Sequence, residues 1–351
     1  MATRVILWQT PYNCMMKRVK IVALLLLSVL FMACHKEEGG KDLTVIFATT
    51  TGLAGDGYNE PILKALMESV SEQPGITVHM LKPDNLSEAR SQFDEWLSGA
   101  DERKALVFCG PEFEPLVEGV SLEKGRILLL DSDKTYGNRI ATAQLKRYGG
   151  AWLAGAIMKD FELVLLKGLD GDRVIDEISR GIEDGYKENG GAGLQKYVLS
   201  SGYDGLDMAD ELYSILWEQE VVKLFYYADG IIAPVCGTSR LGAFDFSWRY
   251  YATIGVGDDC SPYTDILPFS LILDLGGILK EYVSGWAQNS PWPAHADYGM
   301  STGHVYINFN DRFFEHFASQ TVDWTLSLTA WTALENQYRD KALEKEAEYA
   351  Y

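Results

Sequence analysis

Short apolar runs and longer segments with apolar residues three or four apart alternate along most of this chain. In its first part, apolar runs occupy 44–49, 76–81, 105–110 and 126–131, with helical spacing at 60–72, 86–98 and 112–118 between them. Runs with little polar alternation mark strands buried on both faces, and strands separated by helix-length segments pair in parallel. The pattern at 138–144 predicts an extended segment crossing to a second body. That body opens with a helix over 148–159, where Ala151, Ala154, Gly155 and Ala156 permit close packing. Strands are expected at 162–166, 196–200, 230–235 and 251–256, with helices at 175–189, 207–219 and around 243–248. A strand at 268–274, a helix at 276–288, a strand at 304–309 and further helical segments complete the series. The expectation is an α/β protein of two doubly wound parallel-sheet lobes joined by crossing segments, near 138–144 and 256–265. The first lobe takes 43–141 with 262–300, the second 142–261 with 301–330, and a closing helix 331–351.

The stretch 49–60 carries the first candidate chemistry. It joins a strand to a helix with Pro61 in its first turn, the opening of an α/β unit. Such a turn aims helix N–H groups into the crevice at the carboxyl edge of a sheet, where α/β proteins bind ligands. Tyr58 stands there with Asp56 and Asn59, a trio suited to a small, flat, hydroxyl-bearing ligand. The plainer alternative is a loop whose Asn caps the helix and whose Tyr packs locally. A similar loop at 201–205 offers Tyr203 in the second half. Asp258 ends an apolar strand, where a carboxylate needs water, a donor or a ligand hydroxyl, and Asp131 and Asp133 occupy a similar strand end.

Charge and composition narrow the partners. The 351 residues include 50 acidic and 31 basic ones, a formal net charge of −19. Four of the basic residues (Arg4, Lys17, Arg18, Lys20) and no acidic ones precede Cys34, so the chain beyond it is more acidic still. Such a body disfavours nucleic acid and anionic lipid as partners. The apolar run 21–33, preceded by basic residues, is too short to span a bilayer and reads as a signal-peptide core. Ending in Ala33-Cys34, it looks like a bacterial lipoprotein signal that makes Cys34 the lipidated first residue, with 34–42 as a tether. Met15 or Met16 is the better start, leaving 1–14 without function. The expected location is the cell envelope, on the periplasmic or the cell-surface face. Cys109, Cys236 and Cys260 lie in or beside apolar runs and read as buried thiols. Neither a nucleophile elbow, a P-loop, an H-E-x-x-H nor a C-x-x-C occurs, so no enzyme, metal or cofactor is expected.

Several segments resemble the basic membrane protein family of substrate-binding lipoproteins, whose members include purine-nucleoside binders serving ABC transporters. Gly55-Asp56-Gly57-Tyr58-Asn59 is similar to a family G-x-D-x-S-F-N loop, and 148–155 to its E-G-S-F-L-A-G helix. The segments 181–186, 201–205, 236–244 and 254–258 follow in the family's order. The resemblance implies a type I periplasmic-binding-protein fold with the ligand between two lobes. It implies Tyr58 and Tyr203 as stacking residues, Asp56, Asn59 and Asp258 as polar contacts, and Gly237 and Thr238 where backbone nears the ligand. Leu273 stands where the family often has a ligand-contacting lysine. The function so implied is capture of a small ligand, a nucleoside first, for an ABC transporter permease, with attachment to the membrane through the lipid. The alternatives are a sugar-like ligand, or a surface or scaffold lipoprotein without a transport role. A stacking role makes Tyr58→Phe a mild change, because the ring face is kept.

Overall fold

The structure, a computed structural model, describes residues 40–49, 58–137, 139–167, 170–198, 223–228, 250–259, 261–262, 267–318 and 327–350. The elements expected at 207–219, 230–235 and around 243–248 lie outside the described residues.

The first body is a six-stranded sheet. Its strands are β1 (Lys41–Ile46), β2 (Ile76–Leu81), β3 (Lys104–Cys109), β4 (Arg126–Leu130), β5 (Ile140–Leu145) and β12 (His295–Tyr298), in the order β12-β5-β4-β3-β1-β2. Every pair in it is parallel. The central strands are nearly all apolar because helices cover both faces; Ala105 to Cys109 are fully buried. Helix α1 (Asn59–Glu72) follows β1, and α2 (Leu86–Ser98) follows β2. Helix α2 starts where the Asn85 side chain accepts from the Glu88 N–H, and it buries Ala89, Phe93 and Trp96 on one stripe. A short helix α3 (Glu114–Val117) separates β3 from β4.

The second body holds helices α4 (Tyr148–Ile157) and α5 (Arg173–Glu188) and strands β6 (Glu162–Lys167), β7 (Leu194–Val198), β8 (Lys223–Ala228) and β9 (Tyr250–Thr253). These strands form a parallel sheet in the order β7-β6-β8-β9. Strand β10 (Gly255–Gly257) pairs in parallel with β11 (Phe269–Leu273), which pairs antiparallel with β13 (Val305–Phe309). Helix α4 is buried along its whole length, and the expected close approach is to α5. A Cβ at Gly155 would strike the Ile182 carbonyl, and one at Gly185 the Trp152 carbonyl, so only glycine admits this contact.

The chain passes between the bodies at three places. It leaves the first sheet after Leu145 for α4, and returns after β11 into α6 (Leu275–Ala287), whose Gly276 lies against the Pro61 carbonyl of α1. It then enters β12 of the first sheet and leaves again through 299–304 to β13. The stretch 138–144, expected to cross, is therefore largely β5, a strand with all six residues buried; the crossing follows it at once. Strands β8 and β12 fall where the pattern marks no strand. The crossings bond to one another: Lys146 N–H donates to the Tyr298 carbonyl at 2.7 Å, and Asp274 N–H to the His304 carbonyl at 2.8 Å. The closing segments are α7 (Asp311–Ala318) and α8 (Leu328–Glu348). One apolar cluster runs from Leu43 of β1 through Trp152 of α4 to Trp331 of α8, and a second covers the other face of the first sheet.

Candidate functional site

The carboxyl ends of β1, β3 and β4 meet the start of α5 at the junction of the two bodies. Just past β4, Asp131 has left-handed backbone, φ 63°, and only 2% of its surface is exposed. Asp tolerates this conformation better than most residues, and it re-aims the side chain at a strand end. Its Oδ2 accepts from the Tyr58 hydroxyl at 2.8 Å and from Arg147 Nη2 at 2.5 Å. The Leu145 N–H reaches Oδ1 at 3.4 Å. Arg147 is equally buried and also donates to the Leu145 carbonyl at 2.9 Å. A second carboxylate, Glu177 of α5, accepts at Oε1 from the Arg147 N–H at 2.5 Å and the Tyr148 N–H at 2.9 Å. Its Oε2 lies 3.9 Å from Arg147 Nη1.

Two buried carboxylates thus share one buried cation, and their protonation reflects it. Burial works against the Arg147 charge, but Asp131 and Glu177 outweigh it and hold the guanidinium pKa above its usual value. At Glu177 burial wins. Its pKa rises to about 7, because the guanidinium is farther away and Asp131 repels a second negative charge. Burial and then Asp131 likewise raise the Tyr58 pKa, so its hydroxyl remains a donor. This group is an ionic knot that fixes the first crossing to the end of β4.

A second charged group lies outside the knot. Arg173, the first residue of α5, approaches Asp133 Oδ1 at 3.6 Å and Glu114 Oε1 at 3.7 Å, and its Nη2 reaches the Asp131 carbonyl at 3.4 Å. Lys134 Nζ sits 2.6 Å from Glu114 Oε2, and the Ser132 hydroxyl donates to Glu114 Oε1 at 2.9 Å. Side-chain exposure is 43% for Arg173, 33% for Asp133 and 53% for Lys134. Helix α5 begins there because Asp172 accepts from the Val174 and Ile175 N–H groups. Nearby, the Thr49 N–H donates to Glu112 Oε1 at 2.6 Å, and Lys82 Nζ donates to the Thr49 carbonyl at 3.0 Å. The rim therefore offers half-exposed donors and acceptors from both bodies, the inventory that recognises hydroxyl groups.

Of the residues expected at the site, Tyr58 stands at the mouth of the β1–α1 loop, half-buried, with its hydroxyl on Asp131. That bond gives Tyr58→Phe a cost in stability, separate from the ring face that a stacking role would keep. Asn59 is fully buried, and its side chain accepts from the Ala48 N–H and donates to the Ala48 carbonyl, both at 3.2 Å. It clamps the end of β1. Asp258 ends β10, with Lys64 of α1 at 3.7 Å, and accepts at 2.8 Å from the Asp259 N–H. Asp56, Tyr203, Gly237, Thr238 and the lipidation residue Cys34 lie outside the described residues. Leu273 is buried at the end of β11. Arg147, Glu177, Arg173, Glu114 and Lys134 escape the sequence reading. The available signal was Arg147 itself, a cation placed directly before a wholly apolar helix.

One other string has the order of a catalytic triad. Thr142 Oγ1 lies 2.7 Å from His295 Nδ1, and His295 Nε2 lies 3.1 Å from Asp297. The Thr142 hydroxyl donates to the Lys134 carbonyl at 2.7 Å, so its proton is committed to the backbone and the string ties β12 to β5.

No protein-family model and no curated protein matches this chain. Solved structures do. An ABC transporter system solute-binding protein from Aeropyrum pernix K1 aligns over 88% of this chain and 90% of its own, with a TM-score of 0.67 at 13% identity. The fold is of the type I periplasmic-binding-protein kind. A transcriptional activator of the comK gene from Bacillus halodurans shares it over 89% of this chain and 99% of its own, with a TM-score of 0.61 at 14% identity. So does a carbohydrate transporter solute-binding protein from Agrobacterium radiobacter in complex with D-arabinose. It covers 86% of this chain and 100% of its own, with a TM-score of 0.54 at 13% identity. The Arg173 group lies at the outer rim of the junction between the two bodies.

Proposed function

We propose that this protein is an extracytoplasmic solute receptor, lipid-anchored through Cys34, that captures a small hydroxylated ligand between its lobes for an ABC transporter. The observation that carries the reading is Arg173: a cation of the second lobe set against Asp133 and Glu114 of the first, half-exposed, at ion-pair distances too long for good hydrogen bonds. Groups in that state exchange a loose mutual contact for a ligand hydroxyl at little cost. Tyr58 at the cleft mouth and the sequence resemblance favour a nucleoside, with the ring beside the base and the rim on the sugar. The second reading is a free sugar, supported by a rim of charged hydrogen-bonding groups and by the D-arabinose-bound neighbour.

A thermal-shift screen of the mature chain against nucleosides, bases, pentoses and hexoses tests the reading. A ligand at one hundred times its Kd stabilises the folded state by about 2.7 kcal/mol, a readable shift. Stabilisation by nucleosides and not by free pentoses supports the first reading; the reverse supports the second. Silence across both classes defeats the receptor proposal. Cys34→Ser is expected to move the protein from the membrane to the soluble fraction, and an unchanged membrane fraction would remove the lipid anchor.

A further inference from the structure

The last turns of α8 grip the hinge. At its other end α8 is seated on the second lobe, where Trp331 is 1% exposed against Phe161, Phe269 and Phe314. Lys345 and Lys341 both pair with Glu188 of α5, at 2.8 and 3.7 Å. The helix then reaches the third crossing and the first turn of α4, where the first crossing ends. Glu346, 4% exposed, accepts from the Met300 N–H at 3.0 Å and also from the Ser301 N–H, both in the third crossing. Two residues later the helix ends, and the Tyr349 ring stacks on Tyr148, the first residue of α4 where the first crossing ends, with centroids 4.1 Å apart and planes 12° from parallel.

Two glycines make room for this grip. A Cβ on Gly149 would lie 2.6 Å from Glu346 Cβ, and one on Gly299 would lie 2.6 Å from Glu346 Oε1. A side chain at Gly299 would push the carboxylate out, and one at Gly149 would push α8 itself away, since the Ala342 carbonyl lies 2.7 Å from that Cβ; the third crossing and the start of α4 are both cut to fit this turn of α8. The first and third crossings are already joined by Lys146 N–H to the Tyr298 carbonyl and by the Lys146–Asp297 ion pair at 2.6 Å. Hinge closure in a two-lobed protein is absorbed by a few residues in such connections. A contact that ties one of them to the helix at the end of another favours the relative angle at which it fits.

We propose that Glu346 and Tyr349 form a clip that holds the third crossing at one angle to the start of α4, where the first crossing ends, and so sets the balance between open and closed lobes. The clip touches no rim residue, and its effect on ligand affinity rests on the receptor reading, whereas its effect on the lobes needs no ligand. Ligand binding then works against or with the clip, since a ligand shifts an equilibrium only by its differential affinity for the two states.

The test is an interlobe distance distribution measured without ligand on the full chain, by electron spin resonance between labels at Glu95→Cys of α2 and Lys187→Cys of α5. Every native cysteine except buried Cys109 is replaced by serine. Tyr349→Ala and Glu346→Gln are expected to shift or broaden the distribution, and Glu344→Gln, on the exposed side of α8, to leave it unchanged. Denaturation midpoints separate a moved hinge from a loosened fold: the clip predicts a shifted distribution in a variant that still unfolds cooperatively. Unchanged distributions in folded Tyr349→Ala and Glu346→Gln would overturn the proposal. So would misfolding of Glu346→Gln beside an unchanged distribution in Tyr349→Ala, which would reduce the contacts to ordinary helix packing.

Discussion

Within a few residues of Asp131 the protein builds two charged clusters from the same residue types and uses them oppositely. In the inner one, Asp131 and Arg147 are 2% exposed, and each carboxylate has at least two hydrogen bonds of 2.9 Å or less. In the outer one, Arg173, Asp133 and Lys134 are a third to a half exposed, and Arg173 meets its carboxylates only at 3.6–3.7 Å. Burial decides the difference. A charge removed from water must be fully paired, so the inner groups are committed to one geometry; a charge at the rim can change partners through solvent. The inner cluster holds the lobes' connection in place, and the outer one can exchange partners.

The largest expected effect comes from breaking the inner cluster. Arg147→Leu leaves Asp131 and Glu177 buried without their cation, a change that typically costs about 3–5 kcal/mol. Chemical denaturation at neutral pH would read it as a fall in midpoint. A loss below about 1 kcal/mol would show that water reaches these carboxylates and that the two clusters are not distinct.

Next comes pH. The folded-state pKa of Glu177, about 7, lies above the ordinary carboxyl value of 4.5, so between those values the folded protein holds a proton that the unfolded chain has lost. Stability contributed by this group is therefore present below about pH 4.5, falls as pH rises to about 7, and is level above that. At 1.36 kcal/mol per unit the decline is on the order of 3 kcal/mol. Glu177→Gln imitates the protonated side chain and removes this slope. The stability of the variant relative to the parent should climb between pH 5 and pH 8. Parallel curves would mean that Arg147 keeps Glu177 ionised throughout, as it does for a surface pair.

How far these clusters were legible in the sequence depends on the same distinction. The parallel strands were readable because burial on both faces leaves a run such as Ala105 to Cys109 with no polar interruption. Strand β12, His295–Tyr298, was not, because its edge position leaves it short and partly polar. The loop ending at Tyr58 and Asn59 stood out through its turn residues, but Asn59 faces the Ala48 backbone, a direction that no spacing records. Arg147 and Glu177 are thirty positions apart and meet only because α4 packs on α5 through glycine. Arg173 carries no signal of its own in the sequence, since its meaning lies in Asp133 and Glu114 of the other lobe.

Tyr58 sits between the clusters and sharpens their boundary. Its ring is half-buried against the core and its hydroxyl is on the inner Asp131. Tyr58→Phe removes a hydrogen bond to a charged acceptor, worth about 1.5–3 kcal/mol. It should lower the denaturation midpoint and leave ligand affinity nearly intact, because the ring face is kept. A loss of affinity with unchanged stability would place the hydroxyl on the ligand instead and move Tyr58 wholly to the rim.

The smallest expected effect on stability belongs to the rim. Exposed ion pairs contribute about 0–1 kcal/mol, so Arg173→Ala should change the denaturation midpoint little. If the rim is where a ligand hydroxyl binds, the same variant should lose binding to whichever compound stabilises the parent, and Asp133→Asn should lose less, since its amide still accepts a hydrogen bond. Loss of one charged hydrogen bond corresponds to roughly ten-fold or more in Kd. Calorimetry with that compound separates the outcomes. Weakened binding at constant stability confirms that solvent access, not residue type, divides the two clusters. Unchanged binding in both variants would make the rim an interlobe latch only, and would send the ligand to the far side of the cleft, toward Asp258.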